Sequence, residues 1–112
     1  MTVHSWLSAS GKDLIMEYIN NLSVDEQIDA FSVLESLENG EFDKIYYKRW
    51  EGKIYEVYFK KHNRIFYITI DKKDVYLLHA CKKQKNKTEK NDKKLVEKRV
   101  QDLGKQLGKK FI

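Results

Sequence analysis

Two kinds of reactive side chain crowd one stretch of the chain: the phenols Tyr58 and Tyr67, and the cations Arg64, Lys83, Lys85 and Lys87. Together they suit cleavage of an RNA phosphodiester without a metal ion. That reaction needs a base for the ribose 2′-hydroxyl proton, a cation for the charge that builds on the phosphorane oxygens, and an acid for the departing 5′-oxygen. Arginine serves best as the cation, because its planar fork grips phosphate through two hydrogen bonds and stays charged. A lysine becomes a base when neighbouring cations lower its pKa, and Lys82, Lys83, Lys85 and Lys87 crowd one another in that way. A tyrosine stacks on a base or shares in proton transfer. Read from composition alone, the same lysine-rich run is a solvated turn.

Other chemistries find less support. His4, His62, His79 and Cys81 show no metal-ligand spacing, and the glycines are scattered singly rather than gathered in a phosphate loop. His79 and Cys81, two residues apart in a predicted strand, share a face about 6–7 Å apart along it. They read better as a hydrogen-bonded strand histidine and a small core residue than as a nucleophile pair. No cofactor is implied.

The elements that must position these groups are legible. Leu14, Ile15, Tyr18, Ile19 and Leu22 have the spacing of one helix face over 12–22, with Ser10 and Asp13 at capping-box spacing ahead of it. A second helix starts at the capping box Ser23-Val24-Asp25-Glu26 and ends at Asn39-Gly40; Val24, Ile28, Phe31, Leu34 and Leu37 form its expected buried stripe. The short link between the two predicts a helical hairpin. Four runs rich in aromatic and β-branched residues, Lys44–Trp50, Lys53–Lys60, Arg64–Ile70 and Val75–Cys81, are separated by breaks short enough for hairpins, which predicts an antiparallel meander. In the second run Tyr55, Val57 and Phe59 alternate with Glu56, Tyr58 and Lys60, so one face should pack on helices while the other is polar and partly open. The fourth run, apolar on both sides, should be central. A cationic connection leads to a third helix from about Glu89, with Leu95, Val96, Val100, Leu103 and Leu107 as its stripe. The 112 residues thus read as one α+β domain: helical hairpin, four-stranded mainly antiparallel meander, C-terminal helix.

Charge is strongly segregated. Residues 1–43 balance to −8, residues 44–81 to +5 and residues 82–112 to +8, within a net charge of +5. A basic face of this kind concentrates polyanions such as nucleic acid, and the acidic first block cannot be part of it. The single cysteine fits a reducing compartment. No apolar run approaches a membrane span and no signal peptide is visible, so the expected location is the cytoplasm.

Three segments in order, Gly52-Lys-Ile-Tyr-Glu-Val-Tyr, Asn63-Arg-Ile-Phe-Tyr and Tyr76-Leu-Leu-His-Ala-Cys-Lys-Lys-Gln-Lys-Asn-Lys-Thr, resemble the RelE/HigB toxin superfamily, closest to its phage-derived host-inhibition branch. Glu56 matches the first motif, Arg64 and Tyr67 the second, and Lys83, Lys87 and Thr88 the third. Tyr58 stands where the family usually has arginine, Gln84 where it has a second lysine, Cys81 where it has phenylalanine and Glu89 where it has proline. The resemblance implies the toxin of a type II toxin–antitoxin module, a ribosome-dependent endoribonuclease that cuts mRNA and is restrained by a cognate antitoxin, expected to be of helix-turn-helix type. On that implication Arg64, Lys83, Lys87 and Tyr67 form the catalytic set. Tyr58, Glu56, Lys60, Lys82 and Lys85 contact the RNA, and Glu56 acts as base or pairs with Arg64. Arg64 faces the apolar side if His62-Asn63 is a two-residue turn, and a longer loop leaves it free. The alternative on the same fold is a ParE-like gyrase inhibitor or another module that binds a host target without cleaving RNA.

Overall fold

The computed structural model describes residues 1–83 and 88–109, with the side chains of residues 88 and 89 excepted. Lys85 and Lys87, expected in the catalytic and RNA-contacting sets, lie outside the described residues, as do the side chain of Thr88 and its expected role as a helix cap.

The chain order is β1 (Thr2–Ser5), α1 (Leu14–Asn20), α2 (Val24–Glu38), a short 3-10 turn (Phe42–Lys44), β2 (Tyr46–Glu51), β3 (Ile54–Phe59), β4 (Asn63–Ile70), β5 (Asp74–Lys82) and α3 (Thr88–Leu107). Strands β2 to β5 form the antiparallel meander that the sequence predicts. The N-terminal residues add a fifth strand: β1 pairs in parallel with β5, so the sheet order is β1-β5-β4-β3-β2. The doubly apolar β5 is therefore interior, as expected, but the middle strand is β4.

Helix α1 starts one residue after Asp13, whose carboxylate accepts from the Met16 amide at 3.0 Å; Asp13 is itself the cap rather than the acid of a box opened by Ser10. Ser23 caps α2 as expected and donates its hydroxyl hydrogen to Glu26 at 2.8 Å. Gly40, with φ of +69°, follows the cap residue Asn39 and turns the chain out of α2 in the left-handed conformation that glycine adopts without a steric penalty.

The sheet is covered on both faces. On one side Ile15 and Ile19 of α1 and Ala30, Val33 and Leu37 of α2 pack on Val57, Ile65, Tyr67 and Leu77. On the other, Val96, Val100 and Leu103 of α3 pack on Ile54, Phe66, Ile68 and Leu78. Of the expected stripe of α2, Leu37 is buried and Leu34 packs on the core, but Val24, Ile28 and Phe31 are exposed, and the helix instead turns Ala30, Val33 and Ser36 inward together with Glu26. Glu56, expected on an open face, is only 1% exposed, because that face is covered as well.

A polar clasp joins the sheet to the two N-terminal helices. Buried Asn63 accepts from the Tyr18 hydroxyl and donates to Glu26 at 2.6 Å and to the Lys60 carbonyl at 2.7 Å. Lys82 pairs with the same Glu26 at 2.9 Å, and Lys61 approaches it at 3.9 Å. Hydrogen bonds from Asn63, Lys82 and Ser23 hold the Glu26 carboxyl down at about 2, against an ordinary value of 4.5. A depressed carboxylate contributes stability above its unfolded value and loses it as pH falls through the folded one. Glu26 should therefore contribute fully at neutral pH and lose its contribution between about pH 5 and pH 2. In thermal melts across that range, Glu26→Gln should flatten the acid-side fall in stability and lower the neutral-pH midpoint; an unchanged slope would show that the clasp contributes nothing.

Candidate functional site: a lysine-flanked tyrosine backed by a buried ion-pair network

Hairpin register decides which side chains meet. The β3–β4 turn spans residues 60–62, with Lys61 and His62 both in the left-handed region at φ of 63°, so Phe59 pairs with Asn63 and Tyr58 with Arg64. Arg64 therefore shares a face with Glu56 and Tyr58, the face that α3 covers, and neither the apolar side nor an open loop claims it. Its side chain is 2% exposed. The guanidinium donates to Glu56 at 3.3 Å and to Asp92 of α3 at 3.4 Å, and it lies over the Phe66 ring at 4.9 Å.

A bulge brings two more groups to this face. Phe66 pairs with His79 but Tyr67 with Leu77, so Leu78 is the extra residue of β5. Such an insertion shifts the alternation of the strand. Leu78, His79 and Cys81 consequently lie on the α3 side, where Arg99 of α3 donates to the Leu78 carbonyl at 2.7 Å. His79 Nε2 faces a carboxylate oxygen of Asp92 at 2.8 Å, and Nδ1 faces Arg99 at 3.4 Å. A carboxylate only accepts and a guanidinium only donates, so the ring hydrogen sits on Nε2 and the imidazole is neutral. Burial, which lowers the His79 pKa, favours that state.

His79, Cys81 and Asp92 present nitrogen, sulfur and oxygen atoms within 4.8 Å of one another, a trio that sequence spacing does not reveal because Asp92 arrives from another element. The trio faces two guanidinium groups: Arg99 at His79, and Arg64, which donates to the Cys81 sulfur at 3.4 Å as well as to Asp92. With both ring nitrogens of His79 also engaged, the trio is part of the hydrogen-bonded network.

At the outer end of that network lies the surface feature with chemistry in it. The Tyr58 hydroxyl donates to Glu56, and Lys48 pairs with the same carboxylate at 3.3 Å. The Lys48 and Lys83 ammonium groups stand 5.6 and 5.5 Å from the centre of the Tyr58 ring. Tyr46, 75% exposed, lies against the ring at 5.4 Å between centroids. These side chains and His62 line a shallow concavity of about 300 Å³. Burial, then the hydrogen bond to Glu56, raises the Tyr58 phenol above its ordinary value, so it keeps its proton at neutral pH. Hydrogen bonding to Tyr58, then to Glu56, raises the Lys48 ammonium, so it stays charged.

The remaining expected site residues are distributed elsewhere. Tyr67 is buried on the opposite face, stacked on Tyr55 at 5.9 Å between centroids, with its phenol raised by burial. Lys82 is committed to Glu26, and Lys60 stands 3.7 Å from Asp25 beside α2. Of the described lysines expected to act, Lys83 reaches the concavity; Lys48, Tyr46 and His62, which sequence reading passed over, join it there. The alternation of β2 with β3 places Lys48 opposite Glu56, the one signal that would have found it.

Removing one member of a buried ion pair leaves the other unpaired and costs about 3–5 kcal/mol. Arg64→Ala and Glu56→Ala should each lower unfolding free energy by about that much in urea titrations, whereas Lys83→Ala should change it by less than about 0.5 kcal/mol. Equal, small effects of all three would contradict the buried pairing.

A model of the family described as phage-derived protein Gp49-like matches residues 17–101, about three quarters of the chain. No curated protein matches it significantly. The matched span begins within α1, takes in α2 and the whole meander, and reaches Val100 and Gln101 of α3, so it includes the concavity and the network behind it. On that match the chain belongs to the Gp49-like family of phage-derived proteins.

Proposed function

We propose that this protein is the toxin of a type II toxin–antitoxin pair and acts as a ribosome-dependent mRNA endoribonuclease, with the Tyr58 concavity as its site. The observation that carries this reading is a protonated phenol held between two ammonium groups at an open concavity. Family membership and the sequence resemblance to RelE/HigB toxins support it.

Each step has a group of the right kind. Lys48 and Lys83 bind the non-bridging oxygens and offset the charge that builds there. Tyr58 gives its proton to the departing 5′-oxygen, and the imidazole of His62 on the rim takes the 2′-hydroxyl proton. Tyr46 offers an exposed ring on which a base stacks. Arg64 acts without touching RNA: it holds Glu56, and Glu56 holds the Tyr58 hydroxyl and Lys48. Tyr67 contributes packing on the other face. Lys85 and Lys87 are proposed as further phosphate contacts. The partners on this reading are the ribosome with its mRNA and a cognate antitoxin. No helix among the described residues is long and apolar enough to cross a membrane, which agrees with a reading that needs none.

Expression in bacteria with 5′-end mapping of transcripts tests this. Wild type should arrest growth and yield new transcript ends. Tyr58→Phe should reduce cleavage about 10²–10⁴-fold and Lys83→Ala about 10²–10³-fold, with folded protein by circular dichroism, while Tyr67→Phe should leave cleavage unchanged. Growth arrest with intact transcripts and a DNA-damage response would overturn the ribonuclease reading in favour of gyrase inhibition.

A further inference from the structure

Three apolar residues of α2 face outward. Val24 and Ile28 are 71% and 64% exposed, and Phe31 is exposed beside them. Single exposed apolar residues are ordinary, but three at i, i+4 and i+7 form a contiguous stripe. The same spacing continues through Glu35 and Glu38, both exposed, so the seam is apolar over its first half and acidic over its second. The helix carries five carboxylates and no lysine or arginine. Its other face is already satisfied against the sheet by Ala30, Val33 and Leu37.

We infer that this seam docks an amphipathic helix of a partner protein, one with apolar side chains opposite Val24, Ile28 and Phe31 and lysine or arginine opposite Glu35 and Glu38. Helices recognise one another through such i, i+4, i+7 ridges, and flanking charges set partner and direction. Charge also argues against a second copy of this chain. A parallel pair of α2 helices would bring Glu35 and Glu38 against their own copies, and an antiparallel pair would press them onto Val24 and Ile28, desolvating carboxylates without a counter-charge. The seam lies on the side of the sheet away from Tyr58, because α2 packs on Val57 and Phe59 while Tyr58 points to the α3 side. A partner seated there leaves the concavity uncovered. If the toxin reading holds, on which this last assignment rests, that partner is the antitoxin.

The test uses a stapled two-heptad peptide with leucine at the positions facing Val24, Ile28 and Phe31 and lysine at those facing Glu35 and Glu38, and a second peptide with glutamate for lysine. In fluorescence-anisotropy titrations of the full chain, the lysine peptide should bind at least about 10-fold more tightly than the glutamate peptide. Ile28→Glu, at an exposed position that leaves the fold intact, should weaken binding by about 10-fold or more, and Glu35→Lys with Glu38→Lys should reverse the preference between the peptides. Equal affinity for both peptides, or binding that ignores these substitutions, would overturn the proposal. A homodimer in light scattering that Ile28→Glu dissolves would overturn it in favour of self-association. No RNA is read in this assay, so failure here with growth arrest retained refutes the seam alone. Peptide binding without transcript cleavage would leave the seam standing and refute the ribonuclease.

Discussion

A guanidinium taken out of water must be paired, and the arrangement around Arg64 follows from that requirement. Glu56 meets it from β3 and Asp92 from α3, so one buried cation fastens a helix to two strands and fixes the carboxylate on which Tyr58 and Lys48 depend. The network extends through Asp92 to His79 and ends at Arg99, whose guanidinium meets the Leu78 carbonyl and the face of the Trp6 ring. Its members come from β3, β4, β5 and α3, so any loosening of that helix reaches the concavity through the Asp92–Arg64, Arg64–Glu56 and Glu56–Tyr58 hydrogen bonds.

The chain's local grammar was readable because it rests on local physics. Ser23 and Gly40 bound α2 through hydrogen bonding and left-handed backbone, and the breaks between β-rich runs mark their hairpins. What escaped depends on contacts distant in sequence. Thr2–Ser5 is too short to announce itself as a strand and gains its identity from residues 74–77. Helix α2 has two apolar faces, and the choice between them is made by how closely it must approach the sheet, which favours Ala30 and Val33 over Ile28 and Phe31. The orientation of Arg64 turned on a hairpin whose left-handed residues are Lys61 and His62; histidine is enriched in that conformation, but lysine gives no warning of it. His79 and Cys81 joined Arg64 through a bulge at Leu78, and no sequence pattern marks that position.

Segregated charge, read as a basic surface, is partly consumed within the fold. Lys60, Lys61 and Lys82 gather around Asp25 and Glu26, so acidic and basic blocks far apart in the chain neutralise one another where α2 meets the end of the sheet. Among the described residues, what the concavity keeps is a smaller set, Lys48 and Lys83, the first placed by strand register. The charge of each basic block taken alone therefore overstates the field available to a polyanion, because part of it is neutralised by Asp25 and Glu26.

The parallel pairing of β1 carries a consequence for synthesis. Thr2 to Ser5 leave the ribosome before any other strand, yet their partners are Asp74 to Leu77. Until those residues emerge, the first strand has no edge to join, and the Met1 amine bonded to the Glu38 carbonyl is its nearest anchorage. The first strand of the sheet is thus sealed only after the last has emerged, in a slow, long-loop closure. The nascent sheet therefore stays one strand short until residues 74–77 are available.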